Sequence, residues 1–276
     1  MVTYVLETHH ISISRACRVV SLPKSMYYYK KTKDDTETVT KLQELAASYP
    51  TEGQDLYYGR IRTQGYKWNY KRVRPVYRTL GLNQRRKVRK RVPTRVKNPL
   101  LQPEAPLEMW SVDFMSDVLS NQRKFRTLNV IDDFNREAIA IEVAHSMPAV
   151  RVTWLMEQII SEHGKPKCIR VDNGPEFISK KFNAWCKKNE IEIRHTQPGR
   201  PMQNGYIERF NRSFRESILD AYIFEDLMQV QILAEEWVTD YNTLRPHEAL
   251  NGKTPLEYRA EWGLSMQSTP MELTAC

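Results

Sequence analysis

Three acidic residues and their spacing set the chemical question. Asp172 opens the turn in V-D-N-G-P-E-F (Val171 to Phe177), and Glu208 lies in Q-N-G-Y-I-E-R-F-N-R-S-F-R (Gln203 to Arg215), with 35 residues between them. A third acid, Asp113, stands upstream in W-S-V-D-F-M. A carboxylate within an apolar run costs several kcal/mol unless it is paired or coordinates a cation, so Asp113 requires compensation. Asp172 follows the apolar residues Cys168 to Val171 and projects from a strand's C-terminal end, where ligand sites of open α/β sheets gather. Glu208 sits on the first turns of a helix beside the stripe Ile207, Phe210, Phe214, Ile218, with Arg212 and Arg215 further along to reach phosphates.

Three carboxylates from a strand, a turn and a helix offer hard oxygen ligands, which select Mg²⁺ or Mn²⁺. Two such ions about 3.5–4 Å apart hold the attacking and leaving oxygens of an in-line phosphoryl displacement, with water or a DNA 3′-hydroxyl as nucleophile. A lone Asp or Glu is too common to carry this reading, and the combination of contexts is what gives it weight. Asn173, Glu176 and Asn204 flank the acids as supporting residues, although Glu176, like Asp117, also reads as a turn or surface residue. Asp132-Asp133 ends a strand too, but with Asn135 and Arg136 it reads as a hairpin turn.

Charge is divided along the chain. Residues 1–100 hold 22 Lys and Arg against 7 Asp and Glu, whereas the remainder holds 20 against 26. A basic excess this concentrated indicates a polyanionic partner, with double-stranded DNA the leading candidate. No apolar run reaches the roughly 20 residues that span a bilayer, and the start M-V-T-Y-V-L-E lacks a signal peptide's charged end and apolar stretch, so no membrane partner and a cytoplasmic location are expected. Cys17, Cys168, Cys186 and Cys276 form no C-x-x-C pair, and His9-His10 with Cys17 lacks a second half, so neither a disulfide framework nor a zinc site is suggested.

The elements that must position the acids begin with helices. Ile13, Ala16, Val19 and Val20 have helical spacing, a Tyr-rich second helix follows Pro23, and the pair has the shape of a helix-turn-helix or of an ordinary helical hairpin. A linker at Lys31 to Glu37 and a helix from Thr38 to Tyr49 come next. Asn69 caps a helix over Lys71 to Leu80 whose Arg72, Arg74 and Arg78 face outward to DNA; Pro75 moves the expected start toward Arg74. Residues Arg85 to Lys97 contain eight basic side chains, among them Arg85, Arg86, Lys87, Arg89, Lys90 and Arg91, and read as a linker along phosphates. From Glu108 the texture becomes β-β-β-α-β-α-β-α: three strands of an antiparallel meander, a helix from Pro148 to His163, a strand at Lys167 to Asp172, a helix from Ser179 to Asn189, a strand at Ile191 to Thr196 and a long helix from Tyr206. Arg194 and Arg200 lie near the last two as further DNA contacts. A helix over Asp226 to Tyr241 and a compact end segment complete the chain.

These motifs resemble the DDE transposases of bacterial insertion sequences, specifically the catalytic second-frame product related to retroviral integrases. The resemblance is carried by W-S-V-D-F (Trp110 to Phe114), V-D-N-G-P-E-F (Val171 to Phe177), Q-P-G-R-P-M-Q-N-G-Y-I-E-R-F-N-R-S-F-R (Gln197 to Arg215) and Y-N-T-L-R-P-H-E-A-L-N-G-K-T-P-L-E (Tyr241 to Glu257), and it covers nearly the whole chain. It implies that Asp113, Asp172 and Glu208 are the triad, that the fold is an α/β RNase H-like mixed sheet behind an all-α DNA-binding region, and that Mg²⁺-dependent cleavage exposes 3′-hydroxyls for strand transfer. It further implies terminal inverted repeats and target DNA as partners, a homo-oligomer on DNA, and an upstream-frame product joined by frameshifting. The expected domains are residues 1–33, 38–84, a basic linker 85–106, a catalytic core 107–225 and a helical extension 226–276. A DNA-binding regulator without catalysis and a structure-specific nuclease of the same fold are the alternatives. A tyrosine recombinase lacks its cluster of Arg, His and nucleophilic Tyr.

Overall fold

The computed structural model describes residues 1–29, 34–84, 102–197 and 204–268, and divides into two compact units, Met1–Lys41 and Leu42–Cys276. The first holds α1 (Val2–His9), α2 (Ile13–Val19), α3 (Lys24–Tyr27) and the start of α4 (Thr36–Ser48). Ser12 caps α2 by accepting from the Arg15 amide at 3.4 Å, as Ser does at helix starts. Ala16 and Cys17 are buried with Val2, packed by Leu6, Ile13 and Leu22. The Tyr-rich segment is a single turn, after which Tyr28 and Tyr29 are exposed, and α1 occupies a stretch where the sequence indicated no element.

The second unit opens with the end of α4, α5 (Gln54–Thr63) and α6 (Tyr70–Thr79). The Asn69 side chain accepts from the Lys71 amide at 2.8 Å, so α6 starts at Tyr70 and not near Arg74, despite Pro75 in its interior. Pro75 and Lys71 are both exposed, so the carbonyl that loses its amide partner faces water and the penalty is small.

The sheet is built from β1 (Met109–Val118), β2 (Lys124–Asp132), β3 (Ala138–Ala144), β4 (Cys168–Val171) and β5 (Glu192–His195) in the order β3-β2-β1-β4-β5. Pairings β1/β2 and β2/β3 are antiparallel, and β1/β4 and β4/β5 are parallel. This is the mixed RNase H-like sheet that the resemblance implies, flanked by helices on both faces. Strand alternation sorts the core into two layers. Trp110, Val112, Leu128, Val130, Ile169 and Val171 meet Val152, Met156, Phe177 and Phe182 of α7 (Ala149–His163), α8 (Pro175–Ile178) and α9 (Lys180–Lys188). Met115, Phe125, Ile131 and Ile141 meet Ile207, Phe210 and Phe214 of α10 (Gly205–Phe214) and Val230, Ala234 and Trp237 of α11 (Leu227–Thr243). The helix from Tyr206 continues past Phe214 as a π-helical turn, Arg215–Leu219.

The compact end segment holds a further helix, α12 (Pro255–Ser268). Its start is a capping box: Glu257 accepts from the Thr254 amide at 2.8 Å and donates its own amide to Thr254 Oγ1 at 3.3 Å. Among the described residues, Cys17, Cys168 and Cys186 are free and buried, and no helix is long and apolar enough to cross a membrane.

Within the second unit, residues 42–84 are tied to α11 and the segment after it through a buried charge network. Arg60, 1% exposed, donates to both oxygens of Glu52 at 2.8 Å and to both of Asp240, on α11, at 3.0 and 2.7 Å. Arg245 reaches Glu52 at 3.0 Å, and the Tyr49 hydroxyl donates to Asp240 at 2.7 Å. Gly59 allows the close approach, since a Cβ there would stand 2.3 Å from Pro246 Cγ. Removing one partner of such a network strands a buried charge. Arg60→Met is therefore expected to destabilise the second unit by about 3–5 kcal/mol in urea denaturation.

Candidate active site

Register and alternation bring the first two acids together. In the parallel β1/β4 pair, Ser111 stands opposite Arg170, and two residues beyond that pair lie Asp113, still on β1, and Asp172, in the turn just past the end of β4. Two residues restore the same face, and it is the face opposite Trp110, Val112, Ile169 and Val171, hence the side on which α10 packs. β4 ends at Val171 while β1 runs on to Val118, so the shorter strand opens the sheet edge beside Asp113.

Hydrogen bonds fix each carboxylate. Asp113 Oδ1 accepts from the Phe114 amide at 2.8 Å and its Oδ2 from Asn211 Nδ2 at 2.8 Å. Asn211 Oδ1 in turn accepts from Asn129 Nδ2 at 2.7 Å, and Asn129 is the cross-strand partner of Asp113 in β2. Asn211 lies three residues after Glu208, on the same face of α10, so this chain of amides ties the helix bearing the third acid to the strand bearing the first. Glu208 is exposed on the first turns of α10. Asp172 Oδ1 accepts from the Gly174 amide at 2.9 Å, which closes the N-G-P turn. A Cβ on Gly174 would stand 2.9 Å from that same oxygen, so glycine lets the backbone reach the carboxylate.

The charges act on one another. Asp113 is pushed from 3.8 up to about 6, first by burial and then by the negative charges of Asp172 and Glu208, against the Phe114 amide and the Asn211 side chain, which favour the ionised form. Asp113 therefore senses both other acids, although no group of three His, Cys, Asp or Glu side chains among the described residues is close enough together to hold a metal ion. The donors fit a hard divalent cation: all are carboxylates, and mutual repulsion makes a bound positive charge favourable.

Supporting residues fall around this centre. Asn173 donates to the Thr196 carbonyl at 2.9 Å and ties the turn to the end of β5. Glu176 pairs with Arg126, whose guanidinium lies 4.1 Å over the Phe114 ring, and Phe114 stacks on Phe177 at 4.9 Å. Asn204 is buried at the start of α10. Asp132 and Asp133 take structural partners: Asp132 accepts from the Leu107 and Phe134 amides, and Asp133 from Arg170 at 2.7 Å and Ser111 at 2.7 Å. Arg215 is drawn onto β1 by Asp117 at 3.2 Å and the Ser116 carbonyl at 3.0 Å, while Arg212 is exposed. Arg194 pairs with Glu192, Arg72 lies 5.3 Å over Trp68, and Arg74 and Arg78 are exposed on α6. Arg85, Arg86, Lys87, Arg89, Lys90, Arg91 and Arg200 lie outside the described residues. Asn211, Asn129 and Gly174 were not singled out in the sequence; the three-residue step from Glu208 is a signal that finds Asn211, and only strand register finds Asn129.

Comparison with known proteins gives the following. Two families, both described as an integrase core domain, match residues 103–201 and 189–255. The chain is 36% identical over 259 residues to a 31.7 kDa protein of insertion element IS407 from Burkholderia multivorans, covering 93% of this chain and 94% of the relative. It is 32% identical over 260 residues to a 39.2 kDa protein of insertion element IS476 from Xanthomonas euvesicatoria, covering 94% and 75%. It is 23% identical over 260 residues to the transposase InsK assigned to insertion sequence element IS150 of Escherichia coli K12, covering 88% and 91%.

Stability should report the electrostatic tension at Asp113. Its carboxyl titrates near 6 in the folded chain against 3.8 as its ordinary value, so the folded state holds the extra proton between these values and stability falls as pH rises through that window. In a chelating buffer at pH 8, Asp113→Asn is expected to raise stability by about 1–3 kcal/mol in urea denaturation, with the gain disappearing toward pH 4.

Proposed function

The chain belongs to the integrase-core transposases of bacterial insertion sequences, and we propose that Asp113, Asp172 and Glu208 are the residues with which it cuts and joins DNA. As a member of that family it is a polynucleotidyl transferase. The observation that supports the assignment of the acids is the register of β1 against β4, which ends two residues short of Asp113 and Asp172, together with the repulsion that Asp172 and Glu208 exert on Asp113.

The three carboxylates would hold two Mg²⁺ or Mn²⁺ ions. When bound, such ions lower the pKa of an attacking hydroxyl and neutralise charge developing on the phosphodiester. The chain's own contribution is order. Asn211 and the Phe114 amide hold the Asp113 carboxylate in one orientation, and both favour its ionised form. The Gly174 amide holds Asp172, and the Asn129–Asn211 contact keeps Glu208's helix seated on the sheet. Preset positions of this kind matter because misplacement by about 1 Å can cost about 10²-fold in rate. The nucleophile is water in the cleavage step and the freed DNA 3′-hydroxyl in strand transfer.

Double-stranded DNA, both the terminal inverted repeats and the target, is the partner that this chemistry and the basic first hundred residues require. Arg74 and Arg78 on α6, Arg194, Arg212 and the basic run Arg85 to Lys97 supply phosphate contacts. Arg215 contributes through β1, by fixing Asp117 beside the sheet edge. Two DNA ends must be held together, so a homo-oligomer of at least two copies assembles on them, in the cytoplasm at the nucleoid, with an upstream-frame product as a further partner.

Nicking of duplex DNA carrying the element's terminal repeats should depend on Mn²⁺ or Mg²⁺, and Asp172→Asn or Glu208→Gln should abolish it while filter binding of the same duplex persists. Binding by the unaltered chain with no metal-dependent nicking would instead support a regulator, and hydrolysis without joining of ends a nuclease. Gly174→Ala, which crowds Asp172 Oδ1, is expected to lower the nicking rate by about 10²-fold.

A further inference from the structure

The face of α10 turned away from the acids borders a separate cavity. With 3.6 residues per turn, Tyr206, Arg209, Phe210 and Ser213 lie on one side of the helix and Glu208 and Asn211 on the other. The first four line a cavity of about 760 Å³ whose remaining wall comes from α5, the β2–β3 hairpin and the segment around Arg245 to Gly252. Arg62, Arg136, Arg209 and Arg245 all border it, against Asp55 and Glu248, which line it from exposed positions.

Arg136 is the informative residue. It is only 9% exposed, its guanidinium lies 3.4 Å over the Tyr206 ring, and its Nη1 has no hydrogen-bond partner. A buried guanidinium is ordinarily matched by a carboxylate. Here the hairpin acids are committed elsewhere, Asp133, which feels the charge of Arg136, to Arg170 and Ser111, and Glu137 to Arg259 and Asn135, and no ion pair is made by Arg136 or Arg209 among the described residues. His247 Nε2, on the same wall, is likewise buried and unpartnered. His247 is pushed down to about 3, first by burial and then by the positive charges of Arg245, Arg209 and Arg136, so it stays neutral and the three guanidinia share one positive region.

An anion alone does not fill this space. A bare phosphate would occupy a small part of it and leave the stretch bordered by Tyr58, Tyr206 and Phe210 unfilled. A group with one negative charge and a planar apolar body satisfies both halves: the charge meets Arg136 and Arg209, and the plane lies against the aromatic side chains. We propose that this cavity binds one unpaired nucleotide of DNA, with its phosphate at Arg136 and Arg209 and its base against Tyr58 and Tyr206. The inference rests on the reading that DNA is the partner, and it adds a second DNA subsite on the opposite side of α10 from the acids. Such a site lets the protein hold a strand end or a melted base while the adjacent backbone passes the carboxylates.

The test uses the full-length chain without divalent metal, so that its outcome is separate from that of metal-dependent nicking. Fluorescence anisotropy would compare a fully paired duplex, the same duplex with one mismatched base, and the same duplex with an abasic site in that position. The expected result is about tenfold tighter binding of the mismatched duplex than of either other duplex. That preference should vanish in Arg136→Gln and in Arg209→Gln. Arg209 is exposed, so its variant tests the idea even if Arg136→Gln fails to fold. A 5-bromodeoxyuridine placed at the mismatch should crosslink to Tyr58 or Tyr206 under ultraviolet light. Competition by free deoxynucleoside monophosphate that matches competition by mismatched duplex would show that the site takes loose nucleotides and not a strand. Equal affinity for the three duplexes, or an unaltered preference in both variants, would overturn the proposal.

Discussion

The hydrogen-bonded chain Asn129–Asn211–Asp113 is the contact on which the site depends. It joins a strand, a helix and the Asp113 carboxylate through two amide side chains: Asn129 donates to Asn211, which donates in turn to Asp113. Amides suit this position better than charged groups. They restrain Asp113 while adding no charge to a region already crowded by Asp172 and Glu208. The interaction also sets the rotation of α10, because Asn211 can reach Asp113 only when Phe210 and Phe214 are turned into the core formed with Trp237 and Tyr241.

That rotation divides the work of α10. One face carries Glu208 and Asn211, the next packs the sheet, and the last lines a positively charged cavity with Tyr206 and Arg209. A helix used on every side is held firmly, and the network of Arg60, Glu52 and Asp240 extends the same rigidity by joining α5 to α11. The helical segment before the sheet is thereby part of the catalytic unit's packing as well as a carrier of basic side chains. Buried charge of this kind specifies one docking geometry, since any other would leave a guanidinium or carboxylate without its partner.

Much of the sheet was legible because its signals are local. Alternating residues in Lys124 to Asp132 and Ala138 to Ala144, the Asn69 cap and the helical stripe Ile207, Phe210, Phe214 each follow from short-range sterics and burial. Pro75 misled because its cost depends on whether the abandoned carbonyl meets water, which local sequence does not state. The helix Pro255–Ser268 was missed, though T-P-L-E at Thr254 to Glu257 is a capping box with proline in the first turn. Arg215, expected at phosphates, lies on Asp117, a partner 98 residues away that no local pattern pairs with it.

By itself the sequence determined the family resemblance, the choice of three acids as candidates and the separation of basic from acidic halves, because motif spacing and charge are properties of the chain and need no packing. It also indicated that Asp113, within an apolar strand, must be compensated. Only the tertiary structure decided how: parallel pairing of β1 with β4 sets Asp172 beside Asp113, and the packing angle of α10 supplies Asn211 from one face and Arg209 to the other. Those outcomes join residues far apart in the chain, and which of them touch is settled by burying a shared core, a constraint that operates on the whole fold at once.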